Sequence, residues 1–263
     1  MTYIRRDGRL TTQLRPVTVQ HNAFGYAAAS VFLSIGNTKV LCAATLQNGV
    51  PPFLRGKGTG WLTAEYAMLP TSTQDRSARE ISNMTRSGRS SEISRFISRA
   101  LRAVVDVRGI GERTITVDCD VLQADGGTRT ACITASSVVL ELAQQYWLNH
   151  KQINAPFLLD TVGAISVGVL DGQVLLDPDY HEDKMLDADF NIVLTQSGNI
   201  VELQGGAEKA TIDWSLFDAV TACARDGITV LFDTIGKKQT YVRPMHKPDK
   251  KTTVPLFSLQ NRL

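Results

Sequence analysis

No apolar run in the sequence approaches the length of a membrane span, and Met1-Thr2-Tyr3-Ile4-Arg5-Arg6-Asp7 lacks the apolar stretch of a secretory signal. Both absences point to a cytoplasmic protein rather than a membrane or secreted one. Cysteine is sparse: Cys42, Cys119, Cys132 and Cys223 are scattered, with no C-x-x-C pair and no metal-like spacing. The plain reading is reduced, mostly buried thiols. Neither sign of charge is in excess, and a formal net charge of +2 is too mild to argue nucleic-acid binding by itself. What is present is ordinary for a globular chain. Over 263 residues, 43% are hydrophobic and 21% charged, enough to bury a core in one large domain or two fused modules.

Residues 17–19, 30–34 and 39–45 are β-prone runs, with turn residues in 22–25 and at Gly36-Asn37. A glycine-rich basic stretch at 53–60 and a polar, arginine-rich loop at 71–90 follow. Ile93, Phe96, Ile97, Ala100, Leu101 and Val104 then hold the spacing of a buried helical stripe. Ser90 and Ser91 are its candidate caps, and Glu92 suits its first turn. Residues 114–121 alternate, with Ile115, Val117, Cys119 and Val121 on one side, and lead into a largely apolar helix over 131–148. Such a helix belongs at the centre of the fold. Strands are expected at 161–170, 173–177, 188–195 and 200–203, and a further helix from near Asp213. In the third of these, Ala188, Phe190, Ile192 and Leu194 face inward, and Asp187, Asp189 and Asn191 outward. The pattern predicts an α+β chain of two successive modules, 1–150 and 151–236, and a basic tail, 237–263, that is mobile or docked on a partner.

Three stretches carry candidate chemistry. Asp125-Gly126-Gly127-Thr128-Arg129 joins a strand to a helix, where unpaired N–H groups, a hydroxyl and a two-pronged guanidinium suit an anion. A tight structural turn is the alternative, and no Gly-Lys-Ser/Thr follows to make a Walker loop. No lysine occurs between Lys57 and Lys151, so every cation in that window is arginine. Arg95, Arg99 and Arg102 read as a helix face or interface, whereas Arg76, Arg79, Arg86 and Arg89 precede the helix and suit phosphate contacts. Finally Asp177, Asp179, Glu182, Asp183, Asp187 and Asp189 crowd one stretch with His181 and Lys184. A solvated acidic loop or a divalent-cation and acid–base site both fit it, and His181 reads as a surface residue.

The combination is that of phosphoryl chemistry on a polyanion. Asp7-Gly8-Arg9, Leu14-Arg15-Pro16-Val17, Asn37-Thr38-Lys39-Val40-Leu41-Cys42, Gly60-Trp61-Leu62-Thr63-Ala64-Glu65-Tyr66 and above all residues 118–131 resemble the bacterial ribonuclease PH family. The resemblance runs from about Arg5 to about Ile235. It implies two fused modules of the ribosomal protein S5 domain 2-like type, with mixed sheets packed on central helices. It also implies a phosphorolytic 3′ exoribonuclease that trims transfer-RNA precursors and other structured RNA, releases nucleoside 5′-diphosphates and runs in reverse from them. By the same resemblance, Arg89, Gly127, Thr128 and Arg129 bind inorganic phosphate. Asp183 and Asp189 are catalytic and hold Mg²⁺ or Mn²⁺, and Arg76, Arg79 and Arg86 contact RNA. The family assembles as a homo-hexamer, a trimer of dimers. Lys184 and Met185 depart from the usually small residues beside Asp183. A hydrolytic nuclease and a catalytically silent ring subunit are the rival readings.

Overall fold

Alternation of buried and open residues along Val17–His21 (β1), Ala29–Ile35 (β2), Thr38–Asn48 (β3), Trp61–Met68 (β4) and Arg113–Gln123 (β5) builds one twisted sheet. Helices Gly88–Arg102 (α1) and Thr128–Asn149 (α2) pack on it. Val162–Leu170 (β6), Gln173–Leu176 (β7), Ala188–Thr195 (β8) and Ile200–Ala207 (β9) form a second sheet in the order β7-β6-β8-β9. It carries a single helical turn, Tyr180–Asp183 (α3), and a helix, Trp214–Lys237 (α4). Gln239–Tyr241 (β10) returns to pair parallel with β1, giving the first sheet the order β10-β1-β2-β3-β5-β4. This computed structural model describes residues 3–79, 87–237 and 239–241; Arg86, assigned above to RNA contact, and the tail beyond Tyr241 lie outside the described residues. The expected tail therefore begins as an edge strand. Among the described residues no helix is long and apolar enough to cross a membrane.

Helix α2 lies between the two sheets, against β2 and β3 on one side and β6 on the other, and is buried without a break from Thr130 to Leu140. Its hydroxyls explain how polar residues survive there. Thr134 Oγ1 accepts from the Ala164 N–H (3.0 Å) and Ser137 Oγ from the Val162 N–H (2.9 Å). The same device closes the edge of the first sheet. Ser94 and Ser98, on the buried side of α1, accept from the N–H groups of Tyr66 (3.0 Å) and Ala64 (2.8 Å) on β4.

Several expectations need correction. The cap of α1 is Ser87, whose Oγ accepts from the Ser90 N–H (3.0 Å), rather than Ser90 or Ser91. Glu92 consequently falls beyond the first turn. Strand β4 went unread because its alternation begins directly after the glycine-rich stretch. The outward side assigned to β8 is covered as well: Asn191 and Val193 are buried, because α2 covers one side and α4 the other. Fold also gathers the scattered thiols. Cys42 and Cys119 lie opposite each other on β3 and β5 with Cys132 of α2 beside them, all Sγ atoms within 4.8 Å. Burial pushes the Cys42 and Cys132 thiols well up, while hydrogen bonds from Cys132 and Cys42 pull the Cys119 thiol down.

Candidate active site

Strand β5 ends at Gln123 and α2 starts at Thr128, so the chain must reverse within four residues. It does so with Gly126 at φ +78° and Gly127 at φ +65°, a region that side chains rarely adopt. Gly127 caps α2 and brings no side chain to its first-turn N–H groups. These groups and the positive end of the helix dipole are of a kind that suits an anion. A Cβ on Gly126 would meet the Pro178 carbonyl oxygen at 2.6 Å and the Asp179 carbonyl carbon at 2.9 Å, both backbone. Gly126→Ala is therefore expected to lower stability by about 1–3 kcal/mol, measured by urea unfolding. An unchanged midpoint would show that the turn is not locked against Pro178.

A cavity of about 410 Å³ opens above this turn, between the two modules. Gly127, Thr128 and Arg129 line it from α2, Arg89 from the first turn of α1, and Asp183, Asp189 and Glu208 from the second module. Thr128 Oγ1 lies 3.0 Å from Tyr66 Oη, which ties the hydroxyl to β4. Arg129 donates to Gln204 Oε1 (3.0 Å), whose amide in turn donates to Glu92 Oε1 (2.9 Å). The guanidinium thus reaches across the module boundary while keeping a face on the cavity.

The six crowded acids sort cleanly once their partners are seen. Asp177 is buried against Arg15 (2.6 Å) and Glu182 against Arg5 (2.6 Å). Asp179 caps α3, accepting from the N–H groups of His181 (2.8 Å) and Glu182 (2.9 Å). Asp187 accepts from the Asp171 N–H (2.8 Å). Asp183, at the end of α3, and Asp189, on β8, line the cavity. Their surroundings perturb both. Burial in the cleft, then Asp189 and Glu208, push the Asp183 carboxyl above its ordinary range, against the pull of Arg89 and Arg129. Burial, then Glu208, push Asp189 up, against Arg129. Carboxylates that share one cavity in this way offer hard oxygen donors of the kind a Mg²⁺ or Mn²⁺ ion takes.

Glu208 was missed by sequence reasoning. Strand β9 was expected to stop at Leu203 but runs to Ala207, pairing Ala188 with Ala207 and setting Glu208 beside the aspartates. Counting the hairpin register outward from residues 197–199 would have missed it, because a bulge at Val193/Leu194 shifts the register by one residue. Arg76 and Arg79 are exposed on the loop after β4 and do not line the cavity, although Thr73 and Gln74 of that loop do. Lys184 Nζ rests 4.2 Å from the centre of the Tyr180 ring at the cavity wall. His181 is exposed. Arg99 pairs with Glu202, and Arg102 stacks on Trp61 at 4.6 Å, so these helix arginines are structural.

Comparison with known proteins gives two family matches. Residues 13–144 match the model of the 3′ exoribonuclease family, domain 1, and residues 160–227 that of domain 2. Among solved structures the chain is similar to an Archaeoglobus fulgidus exosome with RNA bound to the active site, at 20% identity and TM-score 0.73, covering 87% of this chain and 91% of that one. It is similar to Rrp46 of rice (Oryza sativa), at 20% identity and TM-score 0.70, covering 87% and 97%. An archaeal exosome core matches at 20% identity and TM-score 0.67, covering 86% and 89%. These likenesses establish a shared two-module α+β fold.

Proposed function

We propose that this chain, which belongs to the 3′ exoribonuclease family of the RNase PH type, shortens RNA from its 3′ end with inorganic phosphate as the attacking group. The observation that carries this is the convergence of two arginines, Arg89 and Arg129, and an open helix start on the same cavity as two aspartates whose carboxyls are pushed above their ordinary range. Orthophosphate takes the N–H groups of the Gly127–Thr128 turn at the start of α2 and the Thr128 hydroxyl, clamped by Arg129 and Arg89. An oxygen of that phosphate bonds to the phosphorus of the last phosphodiester as the bond to the neighbouring 3′ oxygen breaks. The 3′ oxygen takes a proton, and a nucleoside 5′-diphosphate leaves. One phosphoanhydride replaces one phosphodiester, so the reaction is near thermoneutral and runs in reverse with excess diphosphate.

Positioning and charge neutralisation carry most of such a transfer. Asp183 and Asp189, whose raised carboxyls keep a proton to higher pH, are placed to protonate the leaving oxygen. The same pair would hold Mg²⁺ or Mn²⁺, which when bound offsets negative charge at the phosphodiester. The exposed loop arginines Arg76 and Arg79 are placed to grip structured RNA such as a transfer-RNA precursor. Exposed apolar residues, among them Tyr26, Ile200 and Trp214, suit assembly with further copies, as in a homo-hexamer.

Incubation with RNA bearing extra 3′ nucleotides, with and without phosphate, tests the reading. Nucleoside diphosphates released only when phosphate is present are expected. Monophosphates released regardless of phosphate would make the chain a hydrolase, and RNA bound without release would make it a silent subunit.

A further inference from the structure

We propose that Arg15 is a positioning residue for the phosphate turn: its buried guanidinium pins the turn's carbonyls, aims its N–H groups, and locks it to the segment that leads to Asp183. The inference rests on the phosphorolytic reading above and deepens it.

Arg15 lies just ahead of β1 and is 5% exposed, and Asp177 is 3% exposed. Both carboxylate oxygens of Asp177 are used. Oδ2 accepts from the Arg15 backbone N–H and from Nε, each at 2.9 Å, and Oδ1 accepts from Nη2 at 2.6 Å. The other edge of the fork turns to the glycine turn. Nη1 donates to the Asp125 carbonyl, and Nη2 reaches the Gly126 carbonyl at 3.4 Å. Thr38 completes the brace: its Oγ1 donates to the Gly126 carbonyl (2.6 Å) and accepts from the Asp125 N–H (3.0 Å).

Peptide planarity turns these contacts into function. In a trans peptide the C=O and the following N–H point in opposite directions. With the carbonyls of Asp125 and Gly126 held toward Arg15 and Thr38, the N–H groups of Gly126 and Gly127 face the other way. Both glycines line the cavity, and Arg15 does not. Neither glycine has a side chain to brace the turn, and both sit at positive φ, so the brace must come from outside. Asp177 itself has φ +50°, and Gly126 packs directly against the carbonyl of Pro178. One ion pair therefore sets the spacing between the phosphate turn and α3, which ends at Asp183. Burial pushes Asp177 up, but the Arg15 charge and hydrogen bonds outweigh it and hold the carboxyl below its ordinary range.

Arg5 supplies an internal comparison. It makes an equally buried pair with Glu182, bonding through Nε (2.8 Å) and Nη2 (2.6 Å), and also donates to the carbonyls of Leu176 (2.8 Å) and Asp177 (3.0 Å), but makes no hydrogen bond to the Asp177 carboxylate or to the glycine turn. Arg15→Lys keeps the charge but cannot span Asp177 and two carbonyls at once. It is expected to raise the KM for phosphate about tenfold, to leave the KM for RNA unchanged, and to lower Tm. Arg5→Lys is expected to lower Tm comparably with no change in phosphate KM. Thr38→Val, which removes the second brace and leaves the ion pair intact, is expected to raise phosphate KM as well. Phosphate KM unchanged in both Arg15→Lys and Thr38→Val, beside a wild type that requires phosphate, would overturn the positioning role alone. Turnover by the wild type that ignores phosphate would overturn the phosphorolytic reading and this inference with it.

Discussion

Arg129→Ala is expected to lower kcat/KM for phosphate by about 10²- to 10³-fold, the effect of removing one preorganised donor from a developing oxyanion, while RNA affinity stays near that of the wild type. The guanidinium is the second residue of α2, so its Cα is fixed by a helix buried along eleven consecutive residues, Thr130 to Leu140. Its other partners are the neutral Gln204 and the partly exposed Glu92, 3.9 Å away, which are worth little to stability. The substitution should therefore cost activity far more than folding. RNA contact is assigned to a different surface, the exposed loop that carries Arg76 and Arg79. Initial rates across a phosphate titration, with a gel-shift measurement of RNA affinity alongside, separate the two effects. Arg129→Lys should recover part of the rate, since it restores the charge without the fork. A phosphate titration that superimposes on the wild type would remove Arg129 from the pocket.

Asp183→Asn and Asp189→Asn are each expected to lower turnover by about 10²- to 10⁴-fold, the range for losing a placed acid or base. Both should leave the protein at least as stable as the wild type. The stability sign follows from linkage. Each carboxyl has a folded pKa raised above its unfolded value, by burial first and then by the neighbouring carboxylates. The native state therefore holds protons that the unfolded state has lost. The stability tied to that proton is fully present below the unfolded pKa, near 3.8, and is lost as pH rises through the raised folded value. As pH rises and these carboxyls ionise, the wild type comes to bear the repulsion among neighbouring carboxylates, and an amide removes part of it. Tm measured from pH 4 to 8 should show the variants gaining on the wild type as pH rises. Added Mg²⁺ or Mn²⁺ should stabilise the wild type more than either variant. A wild-type rate profile whose alkaline limb falls in the ordinary carboxylate range, with variants less stable at pH 8, would contradict the assignment.

Much of this arrangement was legible in the chain itself. Alternation along Arg113–Gln123 and the uncharged run of α2 are local patterns, and local patterns survive whatever the rest of the fold does. The strand-to-helix glycine turn with Thr128 and Arg129 was legible for the same reason. Strand β4 was hidden because no period precedes it, and the cap at Ser87 because three further serines follow at Ser90, Ser91 and Ser94. The six acids between Asp177 and Asp189 looked alike, yet two are spent on arginines more than 160 residues away in sequence, Arg15 and Arg5.

The sequence alone determined the periodic elements, the glycine turn and the residue types available for chemistry, since each depends on neighbours a few positions apart. Only the tertiary structure decided which charges are free to act, because a carboxylate's role is set by what lies within hydrogen-bonding reach of it. Asp177 and Asp183 differ in that respect: one faces a buried guanidinium, the other a cavity.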